Sequence, residues 1–384
     1  MAREVTPPIY LDYNATTPVA PEVLDAMLPW LRGEFGNPSS MHAYGRRAAQ
    51  AVAAARHLVA DLIGAQPQEI VFTGCATEAN NLALLGVARA LGAAKRHLVV
   101  SAVEHPAVMA PALDLRDQGW ALTVLPVDAV GRVSPDGLAD TLRPDTALVS
   151  VMHANNEVGT LQPIREIARM TRQRGILLHS DAAQSAGKLA LNVDELGVDL
   201  LTLAGHKFYA PKGVGALYVR AGTPIRPLLH GAEQEHGLRP GTENVAAIVG
   251  LGAAAALAAA TLAAAPAHLR ALRDRLHERL AAAVPGLQLN GHPELRLPNT
   301  LHVSFPGVSG RALLGEAADV VAASVGSACH SEHDAVSGVL AAMGADAARA
   351  AGAVRLSLGR MTTPDDIERA ADGLVAAWRR LQAR

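Results

Sequence analysis

Leu200-Leu201-Thr202-Leu203-Ala204-Gly205-His206-Lys207 is an apolar run that stops on a lysine. The run shows no apolar/polar alternation, so it predicts a strand buried on both faces. Working outward, the same texture recurs at 69–72, 97–101, 121–125, 147–152, 176–179 and 215–219, with helical patterns such as 79–91 between the runs. Strands alternating with helices in this way predict an α/β fold with a mostly parallel sheet covered on both faces. In such sheets ligands bind beyond the carboxyl ends of the strands, which is where Lys207 falls.

After residue 267 the texture changes. An amphipathic helix begins at Leu269, strands are expected near 301–305 and 354–358, and a last helix is expected over 365–381 with Thr363 as its N-cap. This reads as a smaller α+β domain. The boundaries expected are 15–262 for the large domain, and 1–14 with 263–384 for the small one. The uncharged stretch 245–267 is mostly Ala and Gly and contains Pro266. It predicts a helix on the domain edge rather than a membrane span, which would be strongly apolar throughout.

Half of the 384 residues are apolar but only 3% are aromatic, so the core must be built from Leu, Val, Ile and Ala. A net charge of −2 argues against a basic footprint for nucleic acid or a membrane surface. The two cysteines, Cys75 and Cys329, form neither a disulfide framework nor a zinc spacing. No metal site is expected, since nothing completes a set with Cys329, His330 and His333. Met1-Ala2-Arg3-Glu4 leads into prolines rather than a signal-peptide core, so a reducing cytoplasm is expected.

The chain has four lysines, at 95, 188, 207 and 212. Lys95 lies in a polar patch, Lys188 in a loop after Ala186-Gly187, and Lys212 in a turn. Lys207 alone ends a buried strand, and His179-Ser180-Asp181 ends another. An amine and a carboxylate at neighbouring strand ends are what pyridoxal phosphate requires. The amine condenses with the aldehyde, and the carboxylate keeps the pyridine nitrogen protonated so that the ring accepts electrons.

Other residues extend the pattern. Thr73-Gly74-Cys75-Ala76-Thr77 joins a strand to a helix, and backbone N–H groups at a helix start can hold phosphate. His105, after Glu104, could lie against a ring or carry protons. Arg355 in a strand pattern needs a carboxylate partner if it points inward, and its planar fork suits an amino-acid carboxylate. Gly326-Ser327-Ala328-Cys329 reads as an exposed loop whose thiol reactivity would follow its thiolate fraction.

In sequence order these pieces resemble the cysteine desulfurases, enzymes of fold type I in the class V aminotransferase group. The resemblance runs almost end to end. It rests on the stretch 10–18 (Tyr10 to Pro18), Gly36-Asn37-Pro38-Ser39-Ser40, Ala76-Thr77-Glu78, Glu104-His105, Asn155-Asn156-Glu157, Gly205-His206-Lys207 and Arg239-Pro240-Gly241-Thr242. It implies a seven-stranded large-domain sheet and a homodimer. It implies that Lys207 holds the cofactor and moves the substrate's Cα proton, that Asp181 faces the ring nitrogen and that Gln184 faces the ring oxygen. His105 would stack on the ring. Ala76, Thr77 and His206 would bind the phosphate, with Thr242 reaching the phosphate of a neighbouring subunit. Asn156 and Arg355 would bind the carboxylate of L-cysteine.

Cys329 would take the sulfur as a persulfide and pass it to an acceptor such as an iron–sulfur scaffold or a relay protein. The interval from Cys329 to about Leu340 resembles the long-loop branch of the family. Three departures stand out. Ala204 replaces a phosphate-binding serine, Cys75 replaces a glycine and would be strained if that position needs positive φ, and Ala335-Val336-Ser337 replaces Glu-Pro-Ser. The nearest rival is selenocysteine lyase, with L-selenocysteine as substrate.

Overall fold

The computed structural model describes residues 7–92, 94–326 and 337–384. Its strands, in chain order, are β1 (Ile9–Tyr10), β2 (Ile70–Thr73), β3 (His97–Ser101), β4 (Ala121–Leu125), β5 (Thr146–Ser150), β6 (Leu177–Asp181), β7 (Leu200–Ala204), β8 (Gly215–Val219), β9 (Gln288–Leu289), β10 (Thr300–Ser304), β11 (Val321–Ala322) and β12 (Ala353–Ser357). Seven of them form the main sheet in the order β2-β8-β7-β6-β5-β3-β4. Only β8 runs against its neighbours; the remaining pairings are parallel.

The unbroken apolar runs follow from burial on both sides. Successive side chains point to opposite faces. Ile70, Phe72, Val99, Leu201 and Leu203 enter one core, while Val71, Leu98, Val100, Leu200 and Leu217 enter another. A further core gathers Ile9 and Leu11 with Leu272, Leu276, Leu301, Val303, Leu356 and Leu374. It lies over the three-stranded sheet β12-β10-β9 and the pair β1-β11, so an early segment of the chain packs with late ones.

The uncharged stretch departs from its expectation. It is two helices, Val245–Thr261 and Ala265–Ala283, bent by 77° at the break, and no single helix among the described residues is long and apolar enough to cross a membrane. The first is not on an edge. Ile248, Leu251, Ala254, Ala255 and Ala258 are buried in the core beneath the main sheet. Its small side chains are the reason. A Cβ added at Gly252 would come within 2.7 Å of Ala55 Cα, so the helix lies almost backbone to backbone against helix Ala43–Ile63.

The helix expected to begin at residue 79 begins at Ala76. The last helix is Pro364–Gln382, and Thr363 caps it by accepting from the Asp366 N–H.

Candidate active site

The strand ends β2, β3, β5, β6 and β7 open on one side of the sheet, and the residues just past them surround a cavity of about 270 Å³. Lys207, Asp181, Gln184, His105, Ala76, Thr77, His206, Asn156 and Arg355 all line it. One expected residue does not, and another cannot be placed. Thr242 lines a separate surface groove with Gly74 and Arg239, and Cys329 lies outside the described residues.

Lys207 ends a short turn, Gly205–Lys207, that follows β7 directly. Gly205 is needed there for space. A Cβ would meet Val214 O at 2.9 Å and Leu251 Cδ1 at 3.0 Å. The lysine Nζ donates to the carbonyls of Asn14 (2.5 Å) and Ala15 (2.9 Å), which lie in an early segment. That segment is held in turn by late ones. Asn14 N donates to Ser357 Oγ, Asn14 Nδ2 donates to Thr300 Oγ1, and Asn299 Nδ2 donates to Asn14 Oδ1.

Asp181 is 6% exposed, and both its oxygens are fixed. Oδ2 accepts from Asn80 Nδ2 at 2.7 Å and Oδ1 from the Ala183 N–H at 2.9 Å. Asn80 Oδ1 is buried with no partner among the described residues. Gln184 Nε2 donates to Asn14 O at 3.0 Å. His105 caps helix Pro106–Asp117, accepting the Ala107 N–H at Nδ1, so the neutral ring carries its proton on Nε2. Burial lowers its pKa and Lys207 adds to this, with Asp181 opposing. His206 falls to about 4, chiefly through burial and then through Lys207.

Helix Ala76–Leu91 starts at the cavity, and its N-cap, Cys75, makes no side-chain capping bond. Its first N–H groups are thus left for an anion, where the helix dipole also favours negative charge. Cys75 itself is not strained. Its φ of −175° is extended backbone that any residue adopts, so the expected cost of replacing glycine does not arise.

Arg355 is 2% exposed and has the carboxylate partner its burial demands. Its guanidinium donates to Asp12 Oδ1 at 2.7 Å and to Asn156 O at 3.0 Å, while its Nε has no partner among the described residues. Ser337 Oγ donates to Glu157 Oε2 at 2.5 Å, and Gly326 approaches the same carboxylate. Both flanks of the undescribed stretch 327–336 therefore meet beside Asn156.

Sequence reasoning missed Asn14, Asn80, Asp12 and Lys188. Lys188 was placed in a loop without further role. It is buried, and its Nζ donates to Gln184 Oε1 at 3.1 Å. The signal was its spacing of four from Gln184 in the run of turns that follows β6.

Glu104 was also passed over in favour of its neighbour. Its Oε1 accepts from Ser101 Oγ and from the Met152 N–H, tying the end of β3 to a residue of the cavity wall. Burial is the main cause that raises its pKa from 4.5 to about 8. Between those values the folded chain keeps a proton that the unfolded chain has released, so this group's contribution to stability falls as pH rises. Glu104→Gln retains an oxygen for both donors and removes the titration. The variant's stability relative to the parent is expected to rise from about pH 5 to about pH 8, read from urea midpoints. An unchanged difference across that range would contradict this account.

The site's donor set fits pyridoxal phosphate. An amine, a pinned carboxylate, an amide N–H and an uncapped helix start converge on one small cavity. The family model described as aminotransferase class-V matches residues 9–370. The chain is 46% identical to the cysteine desulfurase IscS of Dictyoglomus turgidum, covering 97% of this chain and 94% of that one. It is also 46% identical to the IscS of Methanosarcina thermophila, covering 94% and 89%. Among solved structures, a NifS-like protein superposes with a TM-score of 0.90 at 38% identity, covering 96% of this chain and 98% of the other. SspA in complex with cysteine superposes with a TM-score of 0.81 at 38% identity, covering 91% and 98%. With its motifs, sheet order and cavity all in agreement, the chain belongs to the class-V aminotransferase family.

Proposed function

We propose that this protein is a pyridoxal-phosphate-dependent cysteine desulfurase that moves the sulfur of L-cysteine onto Cys329 and releases L-alanine. The observation that carries the reading is the convergence of Lys207, Asp181 and the uncapped start of helix Ala76–Leu91 on one cavity with Arg355. The cofactor, when bound, supplies an electron sink that weakens bonds at the substrate's Cα and Cβ.

The chain's own residues do the rest. Lys207 would hold the cofactor, and its amine would move the substrate's Cα proton. Asp181, fixed by Asn80, keeps a proton on the ring nitrogen. Gln184 donates to the ring oxygen, and His105 packs against the ring. Ala76, Thr77 and His206 hold the phosphate. Asn156 and Arg355 hold the substrate carboxylate, for which Arg355 competes with its own Asp12 contact. The Cys329 thiolate attacks the substrate sulfur, the Cβ–S bond breaks, and Cβ takes a proton. The products are alanine and a Cys329 persulfide, so atoms and electrons balance without a further oxidant.

Thr242 is assigned to the phosphate site of a second copy, which makes the working unit a homodimer. Phe35 and Met41, 79% and 90% exposed, are large apolar side chains that such a unit could cover. The persulfide goes on to an acceptor protein, an iron–sulfur scaffold or a sulfur relay, in a cytoplasm that keeps thiols reduced. A second reading, selenocysteine lyase, draws on Ala204, which lines the cavity without the hydroxyl of a serine.

The test is alanine formed from L-cysteine by the cofactor-loaded protein beside Cys329→Ala, with reductant present. The wild type is expected to form alanine, and the variant to lose about 10²-fold or more, on the scale of a removed catalytic group. Equal rates would sink the persulfide route. Competition between cysteine and selenocysteine then ranks the two substrates.

A further inference from the structure

Lys188 is a buried lysine that the proposed chemistry leaves unused. Its side chain is 8% exposed, and among the described residues the hydrogen bond recorded for its Nζ goes to Gln184 Oε1, at 3.1 Å. It also lines a small cavity of about 90 Å³ on the far side of Lys207, shared with Tyr13 and Thr17. That space is large enough for a water to meet its other N–H groups. A lysine kept only for packing would serve better as methionine, because a buried ammonium carries a desolvation cost.

We infer that Lys188 is a positioning residue for this site: by donating to Gln184 Oε1 it fixes the Gln184 amide with its NH₂ directed to the Lys207 side. The argument is one of donor and acceptor count. At one end of the amide stands an amine, which donates. At the other stands the Asn14 carbonyl, which only accepts and already receives Lys207 Nζ. Flipping the amide would set NH₂ against the amine and C=O against a carbonyl, losing both bonds. Lys188, Gln184, Asn14 and Lys207 thus form one connected chain of hydrogen bonds. Burial drives the Lys188 pKa down to about 7, and Lys207 and Arg355 add repulsion. Both the ammonium and the free amine donate, so the orientation survives either state.

This inference rests on the reading that the cavity holds pyridoxal phosphate, with Gln184 facing the anionic ring oxygen. A donor there stabilises the anion and loosens the proton it shares with the Lys207 nitrogen. Removing or misdirecting the donor raises the pH at which that proton leaves. The parent, Lys188→Met, Gln184→Leu and the double variant are loaded with the cofactor, and the visible absorption is titrated with pH.

Both single variants are expected to raise the midpoint by about one pH unit, the scale of one hydrogen bond to a charged group. The double variant should move no further than Gln184→Leu alone, because Lys188 acts through Gln184. An unmoved midpoint in Lys188→Met would overturn the inference. So would an equal Lys188→Met shift in the Gln184→Leu background, which would mean that the lysine acts by its own charge. If the parent shows no visible band, the reading of the site fails first and the inference with it. Thermal unfolding of the unloaded proteins reports whether methionine is tolerated, and Lys188→Leu gives the same test if it is not.

Discussion

Lys207→Ala is expected to lower alanine release from L-cysteine by about 10⁴-fold, the upper end of what a positioned acid–base group contributes. Two functions end together in this variant, covalent retention of the cofactor and movement of the Cα proton. Two of the other lysines are engaged elsewhere. Lys188 is held by Gln184, while Lys95 donates to the carbonyl of Gly175, away from the cavity. The fold should persist, because the hydrogen bonds to the carbonyls of Asn14 and Ala15 that the variant gives up can be taken over by water in an open cavity. Cofactor content and alanine are measured on the same sample. Loss of covalently held cofactor together with lost turnover fits this account. A variant that turns over within tenfold of the parent would remove Lys207 from the chemistry.

Asp181→Asn is the second large effect, an expected loss of about 10²–10³-fold, typical when one preorganised electrostatic group is removed. It is also a clean substitution. Both carboxylate oxygens accept hydrogen bonds, and asparagine keeps only one oxygen. The missing acceptor can be replaced in place. Asn80 Oδ1 is buried without a partner among the described residues, and a flipped Asn80 amide would accept from the new NH₂. Stability should therefore change by no more than about 1 kcal/mol, the net worth of one hydrogen bond. Thermal unfolding and alanine formation separate the two effects. A large fall in stability with unchanged rate per folded molecule would make Asp181 a structural residue.

Much of this site was legible because strand ends are a local signal. The apolar run into Lys207 and the one into Asp181 place both residues at the sheet's carboxyl edge without knowledge of anything else. Arg355 was legible for a similar reason, since a cation inside an apolar strand demands a partner. The partner itself was not. Asp12 lies 343 positions away, and Asn14 lies 193 positions from Lys207. No pattern within a window of the chain carries such a pairing.

Asn80 sits mid-helix, where its type suggests a solvated face. The start of its helix was placed late because Cys75 is not among the residues that usually cap helices. The stretch at 245–261 was misjudged for the opposite reason. Weak hydropathy suggested an edge, yet smallness is what lets the helix approach its neighbour closely.

The early segment at Asn14 has a consequence for how the protein is made. Its backbone N–H donates to Ser357, 343 positions later, and its carbonyl receives Lys207. A growing chain can complete the main sheet while this segment still lacks its anchors. At about 5–20 residues per second, the interval between making Asn14 and making Ser357 is on the order of half a minute. The lysine's surroundings are thus finished only near the end of synthesis. A half-made chain has no assembled pocket in which to hold a reactive aldehyde, and maturation by cofactor capture becomes a late event.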